Sequence, residues 1–298
     1  MTIRSILRKI KNILLPPIPP YVPPTKEEKI ATYIQNGRVA WSEGYIEYKF
    51  NEIEKNINNK NLLDTIRENK LPTGYGYRID ERVVEYPWIM AHLQSNSGKL
   101  LDAGSTFNFD CIVSFPLIQQ KELYIHTYYP ESPNFNEKRI SYIYGDLREL
   151  PYKDAFFDEI VSQSTIEHID MDNSIYGYDI RHTDGERKSY EYLKAIEEML
   201  RVLKNGGTLL LTFPYGKFEN HGFFQQLDAE MLAHILLLLD NKGNSLLHFF
   251  RYTSEGWIGC SQEDCKDVVS FNPHTNRGKG EDGAAHCRSI CCIKFKKH

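Results

Sequence analysis

Four short stretches of this sequence carry residues able to hold a polar ligand or move a proton. The first is LLDAGSTFNF, residues 100–109, with apolar strand residues, an acid at Asp102, a glycine at Gly104 and then a turn. Loops with this grammar let the backbone approach a nucleoside or dinucleotide, since glycine carries no side chain. They usually hold two or three glycines at alternate positions, and here Thr106 and Asn108 stand where the second and third belong. Ser105 and Thr106 offer hydroxyls to an anionic group, and Asn108 tolerates positive φ, so a turn is feasible without further glycines. The second stretch, YGDLREL, carries Asp146 and Leu147. The third, STIEHIDMD, carries Ser164 and His168, and the fourth, FPYGKFENHGFFQQLD, carries His221 among aromatic residues suited to stacking on a flat apolar face. Histidine titrates nearest neutrality, so His168 is the leading general-base candidate and His221 its rival. Each residue also has a plain structural reading. Asp102 can cap a turn, Asp146 can be a solvated turn acid, His168 can pack, and the 105–108 loop can close on itself without a ligand.

The elements that must position these residues alternate. KLLDA reads as a buried strand, and FDCIVSFPLIQQ as a helix interrupted by Pro116. ELYIHTY, RISYIYGD and FFDEIVSQS read as strands rich in β-branched and aromatic residues. Residues 186–204 place Leu193, Ile196, Leu200 and Leu203 at helical spacing, with NGG as the expected stop. TLLLTFP is continuously apolar, as strands buried on both faces are. Strand–helix alternation of this kind predicts an α/β doubly wound, mostly parallel sheet with helices on both faces. MLAHILLLLD, about half the length needed to cross a bilayer, reads as a buried helix.

Ahead of this region, VVEYPWIMAHL reads as a short helix with Pro87 near its first turn, and residues 25–70 as polar helical pieces. Residues 1–15 set Ile3, Ile6, Leu7, Ile10, Ile13 and Leu14 on one stripe beside Arg4, Arg8, Lys9 and Lys11. Such a helix can lie in an anionic membrane interface or pack on protein, and PPIPPYVPP separates it as a stiff spacer. The expected organisation is a basic helix with Pro-rich linker at 1–24, a lead-in at 25–97, and the main domain at 98–298.

The 298 residues carry a net charge of −4, which supplies no whole-chain attraction to nucleic acid. Six cysteines without a signal peptide suggest a reducing compartment, hence a cytoplasmic location. Cys260 and Cys265, and Cys287, Cys291 and Cys292, superficially resemble a metal set. Adjacent strand residues point to opposite faces, however, so Cys291 and Cys292 do not share an ion, and no metal is expected.

Three blocks in order, LLDAGSTFNF, YGDLRELPYKDAFFDEIVSQSTIEHI and EEMLRVLKNGGTLLLTFP, resemble the class I S-adenosylmethionine-dependent methyltransferases. They cover roughly residues 98–214, and CCIKFKK looks like that family's closing antiparallel strand. The resemblance implies a Rossmann-like seven-stranded sheet and S-adenosyl-L-methionine as cofactor. It implies that Asp102 orients loop amides and, through water, the cofactor's ammonium. It carries the loop-glycine role to Gly104 and cofactor contacts to Ser105 and Thr106. Asp146 would accept from the adenine amine with Leu147 against the ring, and Ser164 would lie near the reactive end. The chain departs from the family after the second strand, where an acid usually binds both ribose hydroxyls. Here Thr127 or Tyr128 stands near that position and the next acid is Glu131, a change expected to weaken binding roughly tenfold to a hundredfold. The serine-and-threonine loop and the RVVEYPW lead-in are similar to methyltransferase-like proteins of surface-glycan machinery. The expected reaction is methyl transfer to a hydroxyl or amine of a small-molecule or glycan acceptor, at the inner membrane face if residues 1–15 anchor there. The alternative is a non-catalytic protein of the same fold that binds or regulates a partner.

Overall fold

A computed structural model describes residues 21–132, 134–174 and 187–298. The basic segment expected at 1–15 therefore lies outside the described residues. Eight strands form one sheet: β1 (Lys99–Ala103), β2 (Glu122–Thr127), β3 (Ser141–Tyr144), β4 (Phe157–Gln163), β5 (Leu203–Pro214), β8 (Gly243–Thr253), β9 (Gly256–Cys260) and β10 (Ser289–Lys297). Their order is β3-β2-β1-β4-β5-β10-β8-β9, and a separate two-stranded ribbon joins β6 (Glu219–Asn220) to β7 (Gln225–Gln226). The first five strands run parallel, and β10 lies antiparallel between β5 and β8.

Alternation along the central strands divides the apolar side chains between two cores. Leu100, Val161, Leu210 and Cys292 face one, and Leu101, Ile160, Leu209, Leu211 and Cys291 face the other. The two adjacent cysteines thus point to opposite sheet faces, as strand geometry requires. Helices Tyr45–Ile57, Lys60–Arg67 and Arg82–His92 cover the first face, contributing Ile53, Leu62, Val84 and Trp88 to a core shared with the strands. Helices Tyr192–Val202 and Ala229–Leu239 cover the second. Helix Lys26–Gln35 starts at a capping box, in which Thr25 accepts from the Glu28 N–H and Glu28 accepts from the Thr25 N–H.

The structure corrects the sequence reading in several places. The sheet has eight strands, not seven. The additional strand, β9, is short, and its glycines disguise it because the 69–75 segment crosses it closely. A Cβ on Gly259 would lie 1.8 Å from the Asn69 carbonyl oxygen, and one on Gly256 would lie 2.4 Å from that of Tyr75. The NGG sequence does not stop a helix. That helix ends at Val202, where the Ala155 and Phe156 N–H groups take up the Arg201 and Val202 carbonyls. Residues 204–207 instead form an excursion within β5, whose pairing with β4 jumps from Phe157↔Leu203 to Glu159↔Thr208. Residues 110–119 split at Pro116 into two single-turn helices, Asp110–Val113 and Pro116–Gln119. Pro87 sits inside helix Arg82–His92 rather than in its first turn. Helix Ala229–Leu239 is amphipathic, with Leu237 72% exposed. Among the described residues, no helix is long and apolar enough to cross a membrane.

Candidate active site

The carboxyl ends of β1, β2, β3 and β4 open into one cavity of about 260 Å³. This is where doubly wound sheets place ligands, because the chain departs from neighbouring strand ends in different directions. Gly104, Thr106, Asp146, Leu147, Ser164 and His168 line it, so six of the residues singled out in the sequence meet there.

The first loop is organised from beneath. Asp102 is fully buried at the end of β1 and lies behind the cavity wall. Its carboxylate accepts from the Phe107 N–H at 2.7 Å, the Thr106 N–H at 3.2 Å and the Thr106 hydroxyl at 3.1 Å. Burial pushes Asp102 up to about 7, against the pull of these donors. The left-handed residue of the loop is Ser105, at φ 61°, and not Asn108, whose side chain accepts from the Tyr142 hydroxyl. Ser105 is outside the cavity lining and donates its hydroxyl to Glu131 at 2.7 Å. Both loop hydroxyls are therefore committed to protein acids, Ser105 to Glu131 and Thr106 to Asp102. In this arrangement neither hydroxyl proton is left over for a ligand carboxylate.

Glu131 reaches back over the end of β2 and lines the cavity, where it also accepts from the Thr127 hydroxyl at 3.1 Å. It is the next acid in the sequence, four residues beyond the strand end, and one hydrogen bond from the loop and one from the end of β2 hold it in place. Asp146 is gripped by Arg148, which donates Nε and Nη2 at 2.7–3.1 Å, and also accepts from the Arg148 N–H. Burial opposes its charge, but these donors bring Asp146 below the ordinary carboxylate range.

Sequence reasoning also missed Arg82, which brings a partly buried positive charge to the cavity from the start of helix Arg82–His92. Its Nη1 donates to Glu85 at 2.9 Å. Glu85 in turn accepts the Ser164 and Thr212 hydroxyls, both at 2.6 Å. The only signal in the sequence was an i, i+3 Arg–Glu pair in the RVVE segment, which any exposed helix also shows.

His168 lines the cavity with Nδ1–H donating to the Phe223 carbonyl at 2.6 Å, which fixes the tautomer and makes Nε2 the basic nitrogen. His221 does not join the cavity lining. It stacks on Phe224 at 4.4 Å between ring centres, and neither ring nitrogen has a hydrogen-bond partner among the described residues. Burial pushes His92, His168 and His221 each from 6.5 down to about 4. For a histidine so shifted, the unfolded chain takes up a proton first. The stability is intact above about pH 6.5 and is lost as pH falls toward 4. Each group contributes on the order of 1–3 kcal/mol. His221→Phe, which keeps the ring stack, should flatten the fall of the thermal midpoint between pH 6.5 and 4. A midpoint curve parallel to that of the native chain would remove His221 from this account.

Residues 127–211 match a protein-family model described as a methyltransferase domain. Over that stretch the chain is similar to methyltransferase domains. A curated relative, the tRNA (carboxymethyluridine(34)-5-O)-methyltransferase of Arabidopsis thaliana, is 28% identical over 144 residues, covering 44% of this chain and 28% of that protein. The chain thus spans little more than a quarter of that relative's length. A solved structure of 1,6-didemethyltoxoflavin-N1-methyltransferase from Burkholderia thailandensis, with bound S-adenosylhomocysteine, is 13% identical. The match covers 68% of this chain and 72% of that one, at TM-score 0.39. A methyltransferase of Methanosarcina mazei is 16% identical, covering 71% and 98% of the two chains at TM-score 0.42. The matched domain region contains Glu131, Asp146, Leu147, Ser164 and His168, and follows the loop at 100–109.

Proposed function

We propose that this chain transfers a methyl group from S-adenosylmethionine to a hydroxyl or amine of a glycan or glycan precursor. The observation that carries the reading is the convergence of Glu131, Asp146 and Arg82 on one cavity beside Gly104. The donor and acceptor sets fit the cofactor's polar groups. Glu131 offers two acceptor oxygens for a ribose diol, Asp146 accepts from the adenine amine with Leu147 against the ring, and Arg82 pairs with the amino-acid carboxylate. Gly104 keeps the loop clear of a side chain. When bound, the cofactor supplies an electrophilic methyl on sulfur, and the protein's task is in-line positioning and management of the acceptor proton. His168, neutral at pH 7, accepts a hydrogen bond from the acceptor at Nε2. Its pKa of about 4 suits orientation better than full proton removal.

Asp170, Met171 and Asn173 continue the lining past His168, and Phe223 stacks on His168 at 5.7 Å. Polar side chains beside an aromatic face match a carbohydrate, and the acidic net charge disfavours a polyanion. Isothermal titration with S-adenosylmethionine tests the cofactor; absence of binding at millimolar cofactor by folded protein would overturn the enzyme reading. Transfer of labelled methyl to a sugar-nucleotide and lipid-linked glycan panel, with tRNA alongside, tests the acceptor, and label in tRNA alone would overturn the glycan class. The basic stripe at 1–15 supports contact with an anionic membrane surface. Anionic liposomes should pellet the full chain but not a chain starting at Thr25, and equal pelleting would dispose of the anchor.

A further inference from the structure

Behind the cavity wall, three side chains from distant parts of the sequence converge. Glu81 immediately precedes helix Arg82–His92, while His286 and Cys287 lie just ahead of β10. The His286 Nδ1 atom stands 3.1 Å from a Glu81 carboxylate oxygen and 3.0 Å from the Cys287 sulfur, and the donor atoms all lie within 4.8 Å of one another. Glu81 is 4% exposed and Cys287 1%. Hydrogen bonding alone serves this arrangement poorly. Nδ1 has one site in the ring plane, holding either a proton for Glu81 or a lone pair for the Cys287 thiol, so it serves only one of its two close neighbours at a time. A cation between them takes up the nitrogen, sulfur and oxygen lone pairs together.

A second observation points the same way. Glu167 is 2% exposed, and its Oε2 has no hydrogen-bond partner among the described residues. Its charge acts on both Glu81 and Cys287. Glu81, Glu85 and Glu167 thus gather around one partly buried guanidinium, Arg82, which already donates to Glu85. Charging buried carboxylates in excess of their cations is costly, and a divalent ion nearby would lower that cost.

We infer that Glu81, His286 and Cys287 form a binding site for a divalent transition-metal ion of the zinc class. The ligand chemistry selects the ion. Thiolate and imidazole suit zinc or cobalt and reject the hard, oxygen-preferring magnesium and calcium. Tetrahedral bonds of about 2.0–2.3 Å place such ligand atoms about 3.3–3.6 Å apart, so His286 Nδ1 would draw back roughly 0.2 Å from Glu81 and roughly 0.5 Å from Cys287 to seat the ion. Three protein ligands leave a fourth position for water or another donor. The ion would tie the segment before β10 to the start of the helix that brings Arg82 into the cavity. It would stand behind the Phe223 and Phe224 rings, which contact both His286 and His168.

The test is titration of chelator-treated full-length protein with Co²⁺. The native chain should bind about one ion and develop a near-ultraviolet thiolate-to-cobalt band. Cys287→Ser should lose the band, and His286→Asn should weaken binding at least tenfold, with far-ultraviolet dichroism unchanged in both. Zinc should displace the cobalt and raise the thermal midpoint of the native chain. Two results would overturn the inference. One is no band and no stoichiometric metal on the native chain at micromolar free ion. The other is a band that survives Cys287→Ser and disappears in Cys260→Ser, since the Cys260 and Cys265 sulfurs also lie 3.3 Å apart. Should Cys287→Ser fail to fold, His286→Asn and the native chain still decide the matter. Neither readout depends on methyl transfer, so the result stands apart from the proposed activity.

Discussion

Glu131→Gln should weaken S-adenosylmethionine binding about ten- to a hundredfold while leaving the thermal midpoint within a degree or two. A hydrogen bond to a charged acceptor is worth about 1.5–3 kcal/mol, and glutamine keeps the shape but removes the charge and one acceptor oxygen. Both Glu131 oxygens are placed by hydroxyl donors, Ser105 at one and Thr127 at the other. Each oxygen keeps lone pairs for a ligand hydroxyl. The side chain lies near the surface, where substitution costs the fold about 0.5 kcal/mol or less. Calorimetric titration alongside thermal unfolding separates the two effects. An unchanged dissociation constant would mean that the ribose hydroxyls are held elsewhere.

Gly104→Ala should remove cofactor binding and destabilise the domain by about 2–6 kcal/mol, the sum of backbone strain and overpacking. Gly104 sits at φ 133°, where a side chain is strained whatever the space. A Cβ there would also lie 2.0 Å from the Thr165 hydroxyl oxygen and 2.8 Å from the Thr165 Cβ. The second contact is to an atom fixed by the backbone, so a rotamer change does not relieve it. Gly222→Ala is the matched control, at φ 89° with nothing within 4 Å of its Cβ, and should cost only about 1–2 kcal/mol. Gly104→Ala combined with Thr165→Gly should recover the overlap but not the strain, roughly half the loss. Thermal unfolding of the three variants decides. A Gly104→Ala protein as stable as the Gly222→Ala control would show that the loop yields at little cost.

The parts of the fold readable in the sequence are those set by local chemistry. Strand β1 begins and ends where KLLDA does, an apolar Leu100–Leu101 pair followed within three residues by the loop glycine Gly104. The division of Cys291 and Cys292 between two cores follows from strand alternation alone. Where reading failed, a distant segment had intervened. GWIGC lacks the composition of a strand because its glycines make room for the Asn69 and Tyr75 backbone. NGG lost its expected role because the β4 entrance supplied N–H groups that ended the helix at Val202.

The candidate site divides along the same line. Gly104, Asp146, Leu147 and Ser164 were legible because each lies within three residues of a strand end, and strand ends of a parallel sheet meet at one edge, while His168, five residues beyond β4, was legible as a titratable side chain. Their partners were not legible. Glu131 enters through a loop, Arg82 arrives from a helix that precedes the sheet, and His221 is carried off to stack on Phe224. The hydroxyls of Ser105 and Thr106 could be counted in the sequence, but only folding assigned them to Glu131 and Asp102. The sequence by itself determined the order of the strands in the chain, the loop glycine and the acids at the strand ends, since these depend on residues within a few positions of one another. The tertiary structure alone decided which acids share the cavity, which hydroxyls are already spent, and that Glu81 meets His286 and Cys287. Those contacts join residues up to 206 positions apart, a separation that local propensity does not constrain.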